Sequence, residues 1–354
     1  MASLSAQTFG EIFTHGRDGL AEDPMIAADA DMRHVLDALN SLGARPIDAC
    51  RPAEARRQPN LEDAVRLLLE RAGRAGDGAD VAVEDIVIPG PEGDMAARLY
   101  RSPHSETETE GAARPLILYC HDGLWVTGGP ERCDMTPRAL AHRTGAIVLS
   151  PAYRLAPEHR VPAAHEDCHA AWLWLLAEGA SIGGDPRRAA IVGEGAGGNI
   201  ALNIALDIRA ERIRAPLHLV LIHPIAGAAL NEDSAREYRG ARPVGVPALK
   251  WSFRHAFARR AEAKEPRIAL AEREDLSGLP ATTLVLAGID PLRGTSEQLA
   301  EALEAAGVSV DLALYEGVTQ GFFGLGAVVN KAMFAQSQVA ATLIEAFEAP
   351  RRPM

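Results

Sequence analysis

From residue 81 onward, short runs of β-branched and aliphatic residues alternate with stretches of helical periodicity, and this alternation constrains the fold more than any other feature. Runs at 81–88, 96–100, 116–120, 146–149, 189–192, 217–222, 283–287 and 310–315 read as strands. Helices fit between most of the later ones, at about 163–178, 196–212, 296–306 and 330–349. Alternation at this spacing predicts an α/β fold with a mostly parallel, eight-stranded, doubly wound sheet. Two strands in direct succession at its start predict an antiparallel beginning. The first eighty residues read as helical, with apolar spacing Met32, Val35, Leu36, Leu39 and then Leu61, Val65, Leu68, Leu69. Asn60 stands as N-cap of the second helix, with Glu62 and Asp63 in its first turn and Gly73 and Gly76 at its end. Residues 101–113 read as a polar loop, and 226–270 as an inserted helical piece without strand character.

Composition narrows the function. The chain has 354 residues, 47% hydrophobic and 24% charged, as an ordinary globular protein does. Its 36 basic and 48 acidic residues leave a net charge of −12, which argues against nucleic acid and anionic membrane surfaces as partners. No stretch approaches the roughly 20 apolar residues that span a bilayer. The first twenty residues include Glu11, Arg17 and Asp18 without an apolar run, so no secretory signal is expected. Cys50, Cys120, Cys133 and Cys168 form no CxxC pair and are too few for a disulfide scaffold. The expectation is a cytoplasmic protein acting on a small molecule, with a homodimer as the protein assembly considered. The acidic balance mildly favours a neutral or apolar ligand.

Sheets of this kind place their sites beyond the carboxyl ends of the strands. The residues found there are His121-Asp122-Gly123-Leu124-Trp125, Tyr153-Arg154-Leu155-Ala156-Pro157-Glu158-His159, Gly193 to Asn199, Asp290-Pro291-Leu292-Arg293 and Tyr315 to Phe322. In that order, with PGPEGDMAARLY (89–100), YRLAPEH, PAAHED (162–167), GAGGN and DPLR, the chain resembles the hormone-sensitive-lipase family of α/β-hydrolases, the bacterial carboxylesterases. The resemblance begins near residue 25, where LDALNSLGARP and PAEARR are similar to the family's N-terminal cap helices. It implies a cap over residues 1–80, and a hydrolase domain over 81–354 that carries a further cap piece at 226–270.

The departures from the family matter most. Active members carry a Ser in a GDSAGG elbow, a His in a PG-x-x-HGF loop and an Asp in DPLR. Here the Ser position is Gly195 and the His position is Gln320, and only the acid, Asp290, remains. Glu194 replaces the Asp before the nucleophile, and the HGGG oxyanion loop has become His121-Asp122-Gly123-Leu124. Glycine has no side chain to attack a carbonyl, and a glutamine amide binds no proton near neutral pH. The resemblance leaves the backbone N–H groups of Ala196 and Gly123 as an anion-stabilising pair at a helix N-terminus.

Several groups remain for acid–base work. Asp290 is either vestigial, hydrogen-bonded to Gln320 and backbone, or a base raised by a poorly hydrated cleft. Glu194 points into the protein at its position, which favours a structural role. His121 orients the oxyanion loop in the family, a role favoured over catalysis. Asp122 replaces a glycine and brings a carboxylate to the mouth of the site. His223, where the family leads one to expect Tyr before Pro224, is a core histidine or a cleft base. Cys120 is more readily a buried thiol than a nucleophile. Trp125 and Phe322 are expected to line the pocket against an apolar substrate.

Two short motifs point elsewhere. Gly193-x-Gly195-x-x-Gly198 satisfies the dinucleotide fingerprint, but on the fifth strand and with no acidic residue near Leu217–Leu219 for a ribose. His165-Glu166-Asp167-Cys168-His169 is an HExxH, with Glu194 as a conceivable third zinc ligand. The family's YRLAPEH helix carries such an acidic pair anyway, and its face packs on the sheet. Neither a cofactor nor a metal is expected. The favoured function is a repurposed enzyme performing elimination, cyclisation, isomerisation or carbon–carbon bond chemistry in the old pocket. A ligand-binding pseudoenzyme and a residual esterase are the alternatives. The clustering of changes at Asp122, Leu124, Glu194, Gly195 and Gln320 favours the first, and Gly195→Ser with Gln320→His is expected to restore the lost groups beside Asp290.

Overall fold

The computed structural model describes residues 23–349, apart from 77, 104–111 and 231. Three helices come first: α1 (Ala30–Ser41), the short α2 (Pro52–Ala55) and α3 (Leu61–Ala72). The expected cap of α3 is present as a reciprocal pair: Asp63 N–H donates to Asn60 Oδ1 at 2.9 Å, and Asn60 N–H to Asp63 Oδ2 at 3.0 Å. Gly73 closes the helix in the left-handed region at φ 62°. The reading of residues 1–22 as helical, and most of the polar loop at 101–113, fall outside the described residues.

The sheet follows. Its strands and their helices run β1 (Ala82–Gly90), β2 (Gly93–Arg101), β3 (Arg114–Cys120), α4 (Met135–Thr144), β4 (Ile147–Pro151), α5 (Ala163–Glu178), β5 (Gly184–Glu194), α6 (Ala196–Glu211) and β6 (Leu219–Ile222). After β6 come α7 (Asp233–Glu237), α8 (Val246–Ala256), β7 (Thr282–Ile289), α9 (Arg293–Ala305), β8 (Val310–Thr319) and α10 (Asn330–Glu348). The strand order is β1-β2-β4-β3-β5-β6-β7-β8, antiparallel at β1–β2 and β2–β4 and parallel from β4 to β8. Helix α4 was not among the expected helices. It carries Arg138, His142 and Arg143 against only a short apolar stripe, so its periodicity is weak in sequence. Strand β8 runs on to Thr319, four residues past the expected end, which leaves Gln320 one residue beyond the strand.

The central strands read as unbroken apolar runs because helices cover both faces. Side chains alternate between two cores: Leu116, Leu118 and Cys120 face α5 and α6, whereas Ile117 and Tyr119 face α4 and α10. The chain reverses its direction of travel across the sheet between β4 and β5. The carboxyl ends of β3 and β5, which pair directly, flank that crossover and place residues 121–128 beside residues 194–198. The inserted helices meet the N-terminal ones there, through a hydrogen bond of 3.0 Å from Trp251 Nε1 to the Cys50 carbonyl.

Asn60 also ties the start of α3 to the loop before α4, since its Nδ2 donates to the Arg132 carbonyl at 2.8 Å. Asn60→Ala should therefore destabilise the protein by about 1–2 kcal/mol in urea unfolding, with Asn60→Asp recovering most of the loss.

Candidate active site

The turn from β5 into α6 is sharp and leaves no room for side chains. Gly195 sits at φ 55°, ψ −114°. A Cβ at Gly197 would stand 1.9 Å from the Cys120 carbonyl oxygen, and one at Gly193 would stand 2.2 Å from that of Gly197, so β3, β5 and α6 approach through backbone alone. At Gly195 the obstruction is a side chain. A Cβ there would lie 2.0 Å from Asp122 Oδ1 and 2.3 Å from its Cγ.

Asp122 thus reaches past the mouth of the site, where a carboxylate at this position was expected, and lies directly against the elbow. The Ala196 N–H donates to Asp122 Oδ1 at 3.1 Å, and the Leu124 N–H approaches the same oxygen at 3.4 Å. A helix N-terminus favours a negative charge at this point. The anion site expected to stand open at Ala196 and Gly123 is filled by the chain's own carboxylate. Burial raises the Asp122 carboxyl above its ordinary range; His223 and the N–H groups of Gly123 and Ala196 oppose that rise, and Glu194 adds to it.

The loop that carries Asp122 is strained and braced. Gly123 has φ 135°, and both Leu124 and Trp125 sit in the left-handed region at φ 56° and 60°. Each non-glycine residue there costs about 1–2 kcal/mol. Ser252 Oγ from α8 donates to the Leu124 carbonyl at 2.6 Å, and Arg56 donates to the carbonyls of Val126 and Ala156 at 2.9 and 2.7 Å. Trp125 does not line the pocket as expected. It turns outward against Phe253 and Phe257, with ring centroids 6.4 and 6.0 Å away. Phe322 is likewise a core residue, fully buried against Tyr315 and Phe323, because the extended β8 carries it into the lower core. His121 orients the loop: its Nδ1 donates to the Asp122 carbonyl at 2.7 Å and its ring stacks on Tyr153 at 3.9 Å. Burial lowers the His121 pKa to about 4, so the ring is neutral.

Behind Asp122 lies a buried charged pair. Glu194 Oε2 accepts from Tyr119 Oη at 2.9 Å and from Thr136 Oγ1 at 3.0 Å, while its Oε1 lies 3.3 Å from His223 Nε2. Burial works against both charges. The Glu194 hydrogen bond and charge, with Asp122 and Asp290 beyond, outweigh it and raise the His223 pKa. His223, Tyr119 and Thr136 together hold Glu194 below its usual value against the same burial. The Gly321 N–H also points at His223 Nε2, at 3.0 Å, and one nitrogen cannot accept that proton and donate to Glu194 at once. Three surrounding carboxylates decide in favour of the protonated ring. His223 is completely buried and does not face the cavity.

Asp290 and Gln320 do not form the expected pair. Asp290 Oδ1 accepts the Leu292 N–H at 2.8 Å, whereas both polar atoms of the Gln320 amide have no hydrogen-bond partner among the described residues. Burial pushes the Asp290 carboxyl from 3.8 up to about 6, against the opposing pull of His223 and the Leu292 N–H.

Above these groups opens a cavity of about 500 Å³. Asp122, Gly123, Leu124, Glu194 and Gln320 form part of its lining, while α1, α3 and residues 239–248 supply much of the rest. Three contributors carried no functional signal in the sequence. Tyr119 and Thr136 reach Glu194 from separate strand and helix ends, and Glu62 on α3 accepts the Met135 N–H at 3.0 Å in the cavity wall. The HExxH histidines serve other partners: His165 Nε2 meets Asn199 Oδ1 at 2.9 Å, and His169 Nε2 lies 3.2 Å from Glu211 Oε2. The acidic pair of that helix is structural, since Asp167 accepts the Arg154 N–H at 2.8 Å and also binds its guanidinium. Around Gly193-x-Gly195-x-x-Gly198, the approach of a pyrophosphate to the helix N-terminus is taken by Asp122.

An eight-stranded sheet with a helix-opening elbow after its fifth strand defines an α/β-hydrolase. The profile of the alpha/beta hydrolase fold family matches residues 117–324. Ethyl acetate hydrolase of Pseudomonas putida is 32% identical over 289 residues, which is 81% of this chain and 88% of that protein. Esterase LipI of Mycobacterium tuberculosis is 34% identical over 280 residues, 78% of this chain and 86% of LipI. The esterase of Pyrobaculum calidifontis superposes with a TM-score of 0.76 at 32% identity, over 85% of this chain and 95% of that one. The chain belongs to the hormone-sensitive-lipase-like, carboxylesterase-type family of α/β-hydrolases. No helix among the described residues is long and apolar enough to cross a membrane.

A carboxyl whose pKa is higher folded than unfolded binds its proton more tightly in the folded state, so stability falls as pH rises between the two values. For Asp290 that window runs from about 4 to about 6, and its full contribution is on the order of 3 kcal/mol. Asp290→Asn should flatten this part of the stability profile, measured by urea unfolding at a series of pH values.

Proposed function

We propose that this chain is a small-molecule enzyme that does not work through an acyl-enzyme, and that Asp122 is its general acid–base group. The observation that carries this reading is the Asp122 carboxylate held on the Ala196 N–H at the elbow. It fills the space in which a nucleophile at position 195 and the oxyanion of a tetrahedral intermediate would both have to stand. Gly195 supplies no nucleophile, and Gln320 cannot relay a proton.

The carboxylate itself has what proton transfer requires. It lines the cavity, its orientation is held by backbone donors, and burial makes it a stronger base than an aspartate in water. The reactions consistent with such a group are elimination, cyclisation, isomerisation and related steps that begin by removing a proton from a small, largely apolar molecule. Ester hydrolysis by a carboxylate-activated water is the second reading, favoured by the named activities of ethyl acetate hydrolase and esterase LipI. If the cavity instead held a ligand without turning it over, the protein would be a pseudoenzyme.

The ring opening of 5-nitrobenzisoxazole separates these readings, because a single proton abstraction limits it. The protein should accelerate it, and Asp122→Asn should reduce kcat/KM by about 100-fold or more. An unchanged rate in Asp122→Asn would end the assignment. Cleavage of short-chain nitrophenyl esters should not exceed that of a heat-inactivated control, and turnover at ordinary esterase rates would favour the second reading.

The same geometry revises the expected repair. Gly195→Ser with Gln320→His should remain inactive as an esterase, because the new Cβ would meet Asp122 at 2.0 Å. Adding Asp122→Gly should restore nitrophenyl ester cleavage. Activity in the double variant alone would show that the carboxylate yields easily.

A further inference from the structure

We propose that the ligand of this cavity carries an amide-type edge, an N–H beside a C=O, and that the side-chain amide of Gln320 recognises it. The inference rests on the cavity above Asp122 being the substrate site and names the chemical class of its occupant.

Gln320 is 1% exposed, yet neither its Oε1 nor its Nε2 has a hydrogen-bond partner among the described residues. It lines the cavity and follows directly on the end of β8. Buried amides left unmet are rare, because losing water without replacing its hydrogen bonds is unfavourable. A ligand that offers one donor and one acceptor together supplies what both atoms lack.

The surrounding charges narrow the choice further. Asp122 and Glu194 line the same cavity, so a carboxylate or phosphate would be repelled on entry, while burial lifts the Glu62 carboxyl beside them to about 8 and leaves it neutral at pH 7. Protonated His223 behind Asp122 and Glu194 already balances part of that charge, which weakens the case for a cationic ligand. A neutral group with a donor and an acceptor side by side satisfies the glutamine and leaves those charges undisturbed. The apolar walls, such as Leu36, Leu39 and Leu61, accommodate the remainder of a flat or bulky hydrocarbon body.

Two isosteric probes test this directly. In 2-quinolinone an N–H adjoins the carbonyl; in coumarin a ring oxygen replaces that N–H. Calorimetric titration should show 2-quinolinone binding about tenfold or more tightly than coumarin. Gln320→Leu should abolish the difference and leave the free protein at least as thermally stable, since two unmet polar atoms are removed; Gln320→Met serves as a second apolar replacement. Asp122→Asn should lose benzisoxazole opening yet keep the preference for 2-quinolinone, so the two proposals fail separately. Equal affinities, no binding of either probe, or a preference that survives Gln320→Leu would overturn the assignment.

Discussion

The contact on which the rest of this site depends is the Asp122 carboxylate seated on the N-terminus of α6. A helix start presents backbone N–H groups with no partners of their own, together with the positive end of the helix dipole. In a serine hydrolase those donors wait for a substrate. Here a residue three positions before Trp125 satisfies them permanently, and several otherwise isolated features follow from that. A Cβ at position 195 would meet the carboxylate at 2.0 Å, so glycine there and Asp122 at the elbow go together. The loop must hold Leu124 and Trp125 at positive φ, a strain offset by the Ser252 and Arg56 hydrogen bonds and by the seating of Trp125 against Phe253 and Phe257.

Charge follows the same logic. Asp122, Glu194 and Asp290 converge on one imidazole, and burying three carboxylates without a cation would be prohibitive. His223 supplies that cation. Its protonation is a consequence of the neighbours rather than of the residue, since burial alone would drive it neutral, as burial does for His121 and His165. The three histidines are equally enclosed; what separates them is that His223 alone bonds directly to a carboxylate, whereas His121 meets a backbone carbonyl and His165 an amide.

Much of the architecture was legible in the sequence. All eight strands and most of the later helices read correctly, because the central strands, covered on both faces, have an unmistakable composition and the cap of α3 has a local chemical signature in Asn60 and Asp63. Helix α4 escaped because basic residues interrupt its stripe, and the length of β8 escaped because Glu316 and Gly317 follow its apolar run and read as a turn. Motif spacing singles out residues 195, 290 and 320 as the candidate positions. The orientation of Trp125 and Phe322 could not. An aromatic residue after a strand can turn toward a cavity or toward a neighbouring helix, and only the position of α8 and the extension of β8 decide which.

By itself, then, the sequence determined a doubly wound sheet of the hydrolase family, with glycine at 195 and glutamine at 320, because periodicity, turn residues and motif spacing are local properties of a chain. Only the tertiary structure decided where the Asp122 carboxylate goes, that Asp290 and Gln320 stay apart, and that Glu194 and His223 form a charged pair. Each of these depends on distances between residues tens of positions apart, set by the packing of β3 and β5 through bare glycine backbone. Angstrom-scale placement, unlike residue type, is not encoded at any single position.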